Sequence, residues 1–365
     1  MIKQTAPQKL DTSVQEAGNG RDRAVGGVVH VRLFWAGVLI LAPIVLVGSL
    51  SIGRYGIPFQ QVEAILRSHL IPVEATWSPS EQRVVELIRL PRILAVCLAG
   101  AGLAMAGAAL QGVFRNPLVD SQIIGVSSGA AFGGALAILL FDNATVTVGL
   151  AFVAGLAAIV IVYLLSRITR QTPILLLVLA GVITNAFFSA LISLIKFVAD
   201  PDNKLPAIVY WLMGSFASAS WSDVAILSGP IGLGAGVILG LRFRINVLSL
   251  GDEDAQALGV PVERTRWLIL GAVALISAAV VAVAGIIGWV GLVIPHAARV
   301  MVGPDHKVLL PASAALGALY LLLIDDVART ATAAEIPLGI ITAILGAPVF
   351  AVLLRRSHAG GWRGD

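Results

Sequence analysis

What this chain can fold into is limited first by where its charges are missing. Between Arg32 and Arg54 lie 21 residues without Asp, Glu, Lys or Arg, and between Arg92 and Arg115 lie 22. Asp120 to Asp142 encloses 21, Asp142 to Arg167 encloses 24, and Arg170 to Lys196 encloses 25. Later gaps hold 18 residues (Val224 to Leu241), 32 (Trp267 to Ala298), 17 (Val308 to Ile324) and 19 (Ile336 to Leu354). Roughly 20 apolar residues of helix cross a hydrocarbon core, so eight of these gaps fit single spans. As one helix the 32-residue gap would run to about 48 Å at about 1.5 Å per residue. Gly285, Gly288, Gly291 and Pro295 lie inside it and offer places to break it in two. The expectation is an all-α polytopic membrane protein with ten transmembrane helices. Only 13% of the residues are charged, against about 25% in soluble domains, which excludes a water-soluble domain.

Orientation follows from the basic residues. With the N-terminus inside and ten alternating spans, inside segments carry 17 of the 25 Lys and Arg but 10 of the 21 Asp and Glu. That is the sign of the positive-inside rule. A nine-span count would turn Arg299, Lys307, Arg355 and Arg356 outward, so ten is preferred. Residues 1–31 read as a disordered cytoplasmic tail, because about thirty polar residues are too many for the n-region of a signal peptide. Residues 32–356 form the transmembrane domain and 357–365 a cytoplasmic C-terminal tail. The single cysteine, Cys97, excludes an intramolecular disulfide. A sequence pI near 9.5 reflects topology and implies no nucleic-acid partner. Arg89 and Arg92 of "RLPR" and the later Arg329 then face outward, against the charge bias. Snorkelling to headgroups and pairing with carboxylates of a partner protein both fit them, and composition favours neither.

No charged residue lies in the middle of an apolar run, whereas ion-coupled carriers usually keep such groups at membrane depth. Small residues fill the runs instead, as in "AGAGLAMAGAAL" (99–110) and "GVSSGAAFGGALA" (125–137), and such faces let helices approach closely. No "GxxxxGK[ST]" loop occurs, so ATP would have to be bound by another chain. "FRNPLVD" (114–120) reads as a tight turn: Pro117 breaks the helix, and Asn116 and Asp120 can bond to nearby backbone. "SLGDEDAQALGV" (249–260) places acids at a helix N-terminus and Gly259 at its C-cap. It predicts a short cytosolic helix with Leu250, Ala255 and Leu258 available to a partner. His296, the one histidine in an apolar run, has no Cys, Asp or Glu at ligand spacing, so no metal site is assigned.

Together these segments resemble a known family. "RLPRILAVCLAGAGLAMAGAALQGVFRNPLVDSQIIGVSSGA" (89–130), "VLAGV" (178–182), "YWLMGSF" (210–216), "LSLGDEDAQALGV" (248–260), "GWVGLVIPHAARVMVGPDHKVLLP" (288–311), "DDVAR" (325–329) and "EIPLGIITAILGAPVFAVLLRR" (335–356) are similar, in order, to FecCD-type permeases of ABC importers for iron chelates and cobalamin. The family's "NPLADP" stands here as "NPLVDS", with Ser121 in place of the second proline.

The resemblance implies a type II importer permease. Two permease subunits, expected to be a homodimer, would work with two cytoplasmic ATP-binding subunits and a periplasmic binding protein in the bacterial inner membrane. ATP and magnesium would sit on the partner ATPase, and this chain would hold no cofactor and catalyse nothing itself. Carried over residue by residue, Arg89, Arg92 and Arg329 would dock the binding protein. Asn116 and Leu118 would form a cytoplasmic gate. Asp252, Glu253, Asp254, Ala255, Ala257, Leu258 and Gly259 would couple to the ATPase. The expected cargo is haem or a ferric siderophore, with cobalamin as the alternative. A self-contained secondary carrier and a passive membrane anchor are the competing classes.

Overall fold

The computed structural model describes residues 10–72, 74–167 and 173–358. The side chains before Val29, those of residues 353 and 354, and those after Arg355 lie outside the description, and so do residues 1–9 and 359–365 of the two expected tails and Arg170. In chain order the helices are α1 (Leu10–Ser51), α2 (Phe59–Ser68), α3 (Pro79–Arg83), α4 (Leu90–Phe114), α5 (Val126–Leu140), α6 (Ala144–Ser166), α7 (Ile174–Val198) and α8 (Lys204–Leu212). They continue with α9 (Trp221–Gly240), α10 (Arg242–Leu248), α11 (Asp252–Ala257), α12 (Val262–Ala284), α13 (Val290–Val302), α14 (His306–Thr330) and α15 (Leu338–His358). Among the described residues seven helical stretches are long and apolar enough to cross a membrane. Three shorter apolar helices, Val126–Leu140, Val290–Val302 and Leu338–Val352, stand where the third, eighth and tenth spans are expected.

Two boundaries differ from the sequence reading. Helix α1 starts at Leu10, inside the stretch expected to be disordered. No proline stands between Pro7 and Pro43, so nothing in the sequence forces a break before the apolar part. The second span begins well before "RLPR". Ser78 caps α3 reciprocally with Glu81, and helix continues without interruption from Pro79 to Phe114. Residues Val84–Arg89 form a π-helical turn in which the Leu90 N–H donates to the Val85 carbonyl. Pro91 explains the widening: it has no N–H to give and its ring crowds the preceding turn, and a π-turn relieves both.

Helix α4 is the axis of the bundle, buried along nearly all its length and packed by α14, α9, α13 and α12. Its small residues permit this. A Cβ on Gly100 would lie 2.3 Å from the Gly317 carbonyl oxygen of α14, and one on Gly107 would lie 2.0 Å from that of Gly291 in α13. The 32-residue gap breaks where glycine allows it. Helix α12 stops at Gly285 (φ 71°), and α13 starts after Trp289 (φ 69°). Backbone freed there and around residues 213–215 pairs with other breaks in the chain. Ser215 N–H donates to the Ala284 carbonyl (2.8 Å), Leu338 N–H to that of Gly214 (2.8 Å), and Gly339 N–H to that of Met213 (3.0 Å). Inside a bilayer such pairing is obligatory.

Candidate functional site

The residues singled out by the sequence gather at the two ends of the bundle. Where α1 finishes and α4 begins, Arg89, Arg92 and Arg329 come together with only 4%, 6% and 5% of their surface exposed. Buried charge needs partners, and each arginine has them within the chain. Arg92 holds Asp325 of α14 with two edges of its fork, Nε to Oδ2 at 2.9 Å and Nη2 to Oδ1 at 2.8 Å. It also reaches Glu335 in the α14–α15 connection, Nη1 to Oε1 at 3.1 Å and Nη2 to Oε2 at 2.9 Å. Arg329 donates to Asp326, one turn earlier, and to Ser49 of α1. Arg89 gives its fork to the carbonyls of Leu50 (2.5 Å), Ser51 (3.1 Å) and Tyr55. Two of these belong to the last turn of α1, the negative end of that helix. The arginines therefore sit together at one end of the bundle, and their forks are engaged inside the protein. Arg54 and Arg83 are exposed cations at this end. Sequence reasoning passed over Asp325, Asp326 and Glu335 as partners, although Asp326 and Arg329 stand at helical i, i+3 spacing.

At the other end, Arg115 closes α4 in the left-handed region (φ 51°). The expected turn follows: the Asn116 Oδ1 accepts from Leu118 N–H at 2.9 Å, and the Asp120 Oδ1 accepts from Gln122 N–H at 3.0 Å. Asn116 and Leu118 are both exposed.

The short helix expected in this segment is α11, and Gly259 follows it at φ 77°. Leu250 and Leu258 are 63% and 64% exposed, and Glu253, Asp254, Ala257 and Gly259 are exposed beside Leu258. Ala255 corrects the expectation: it is fully buried, because one face of this single turn packs on α10 and α12. Asp252 also looks inward, paired with Arg266 at 2.8 Å and with Arg115 at 3.8 Å. The Arg115 pair joins the α11 segment to the turn holding Asn116 and Leu118. Nearby, Asp305 caps α14 and Asn246 ties α10 to it, with Asn246 Nδ2 to Asp305 Oδ1 at 2.6 Å and the His306 N–H to Asn246 Oδ1 at 2.9 Å. Partial burial opposes the charge on Asp305, but the Lys307 N–H and the Asn246 amide hold its carboxyl below the usual range. Among the described residues no group of three His, Cys, Asp or Glu could hold a metal ion.

A model of the FecCD transport family matches residues 40–356. The chain belongs to that family. This FecCD chain is 44% identical over 329 residues to the molybdate import system permease protein MolB of Haemophilus influenzae, covering 89% of this chain and 96% of that one. It is 37% identical over 343 residues to the hemin transport system permease protein HmuU of Yersinia pestis, covering 92% and 98%. Its fold is similar to a solved, inward-facing ABC transporter assigned to the metal-chelate type, with TM-score 0.80 and 42% identity over 89% of this chain and 99% of that one. The FecCD chain is thus a multi-pass permease component of an ABC importer, the class that works with an ATPase and a binding protein. The competing classes, a self-contained carrier and a passive anchor, are set aside on that ground.

Proposed function

We propose that this permease moves a metal chelate, haem or a ferric siderophore, from a periplasmic binding protein across the inner membrane by alternating access. Two copies form the pathway, two ATPases sit beneath them, and both chain termini are cytoplasmic. The observation that carries the reading is the similarity, along 89% of the chain, to a transporter of metal-chelate type. A molybdate cargo is the second reading, motivated by the 44% identity to the molybdate permease; cobalamin is carried by the same kind of machinery.

The binding protein docks at the end that holds Arg89, Arg92 and Arg329. Of the two carboxylates on Arg92, Asp325 is fully buried while Glu335 is 21% exposed. Glu335 therefore marks the side from which a carboxylate of the binding protein can reach the fork, whose planar geometry suits carboxylates. At the inner end the exposed face of α11, with Glu253, Asp254, Ala257, Leu258 and Gly259, seats in the ATPase. Its movement reaches the gate residues Asn116 and Leu118 through Asp252 and Arg115.

Co-reconstitution with the cognate ATPase and binding protein tests the reading through ATP-dependent uptake of haemin, a ferric trishydroxamate, cobalamin and molybdate. Haemin or ferric chelate uptake above the others is expected. Uptake of cobalamin or molybdate alone reassigns the cargo. Uptake driven by an ion gradient without the ATPase overturns the importer reading.

A further inference from the structure

Two of the apolar helices are too short to cross a bilayer. At about 1.5 Å per residue, the 15 residues of α5 and the 13 of α13 reach only about 22 Å and 20 Å, against roughly 30 Å of hydrocarbon. Their non-helical leaders, residues 120–125 and 285–289, therefore lie at membrane depth, and there they meet. A Cβ on Gly288 would fall 2.7 Å from the Gln122 Nε2. Beside this meeting point the chain forms a concavity of about 370 Å³. Gln122, Met213, Ile286, Trp289 and Ile340 are among its walls. Irregular backbone at this depth is tolerated only where protein covers it or a water-filled cavity adjoins it. Gln122 sharpens the point. Its backbone N–H is bonded to Asp120, but among the described residues its side-chain amide makes no hydrogen bond. It is half-buried, and facing lipid tails it would stay unsatisfied.

We infer that this concavity is the wall against which the cargo passes, and that the Gln122 amide is the polar group that reads it. The inference rests on the importer function proposed above and adds the cargo's chemistry. The wall offers one amide, an indole, a thioether and aliphatic carbon, and no charged side chain lines it. A bare oxyanion would be stripped of water there with no cation to receive it. A metal chelate with apolar faces fits, because its charge is screened by its own ligand atoms. Rim oxygens of the chelate accept from the Gln122 Nε2 while its faces lie on Trp289 and Met213. The indole is held in place for this: Trp289 stands edge-on to Phe350 at 6.5 Å and packs over Gly346 of α15.

The test uses the full importer in nanodiscs, in a Cys97→Ala background with Gln122→Cys, and a membrane-impermeant thiol reagent. Cysteine at 122 is expected to react in at least one nucleotide state, while Val153→Cys, exposed on the outside of α6, stays protected by lipid. Ferric trishydroxamate supplied on the binding protein is expected to slow the reaction at 122. No reaction at 122 in any state overturns the inference. In proteoliposomes Gln122→Leu is expected to slow uptake of that chelate about 3- to 10-fold, the range for one lost hydrogen bond. Gln122→Asn is expected to recover part of it. Equal uptake by Gln122→Leu and the parent removes Gln122 as the reader. If the unmodified complex takes up no probe with ATP, the importer reading fails, while the labelling still decides whether the wall faces water.

Discussion

At Arg92 the partners that the fold supplies matter more than the residue's position along the chain. Its fork belongs to Asp325 and Glu335, and these two carboxylates are not equivalent. Asp325→Ala leaves a buried guanidinium short of its fully buried partner and is expected to cost about 3–5 kcal/mol. Glu335→Gln keeps the Asp325 pair and loses only a part-exposed contact, worth roughly 0–1 kcal/mol. Thermal unfolding in detergent separates them. The same geometry changes the meaning of charge reversal: Arg92→Glu would set a third carboxylate against two others, so lost folding would mask lost docking. Glu335→Gln is the cleaner probe, and faster or tighter capture of the binding protein is its expected outcome. Asp305 offers a pH test. Its carboxyl is held below the usual range, so its contribution is present above the unfolded value, about 3.9, and fades as pH falls through the folded one. Asp305→Ala is expected to cost about 0.5–2 kcal/mol at neutral pH, with the gap from the parent closing in acid.

At the scale of elements, backbone proximity matters more than side-chain chemistry. Gly107 of α4 faces the Gly291 carbonyl so closely that no side chain fits, and both atoms belong to backbone that cannot swing aside. Gly107→Val is expected to destroy the α4–α13 contact, read as aggregation in size-exclusion chromatography, whereas Gly149→Ala, with open space around it, is expected to be silent. Helix α11 divides its six residues between two duties. Ala255 and Asp252 fasten it to its own subunit, and Leu258 stands out at its end. Leu258→Glu is therefore expected to leave the permease folded while ATP hydrolysis no longer drives uptake. Normal uptake by that variant removes α11 from the coupling path.

For the whole molecule the question is how nucleotide at one end alters access at the other. The Arg115–Asp252 pair, at 3.8 Å and partly exposed, is a weak strut, so the stiffness of the path lies in α4 itself, the buried helix that ends at Arg115. A buried central helix with an exposed turn at its foot suits a two-state switch biased by nucleotide. Cysteines at position 118 of two subunits, in a Cys97→Ala background, are expected to crosslink in one nucleotide state and separate in another. Crosslinking that ignores nucleotide would show that this turn is no gate.

Some of this was settled by the sequence alone. A run of about twenty uncharged residues must satisfy its own backbone in lipid, and that local requirement fixes helix, and a break somewhere between Gly285 and Pro295, without knowledge of any neighbour. The small residues of α4 likewise announced close packing, and Asn116 and Gly259 announced a turn and a cap, because each acts on backbone within a few residues of itself. Three matters depended on residues far apart in the chain. Arg92 finds Asp325 across 233 positions, Ala255 is covered by neighbouring helices, and Gln122 meets Gly288 at the ends of two short helices. Charge counts along a chain set an expectation for the side of the membrane on which an arginine lies. Whether its fork is free depends on which carboxylate the fold brings within 3 Å, and only the tertiary structure decides that.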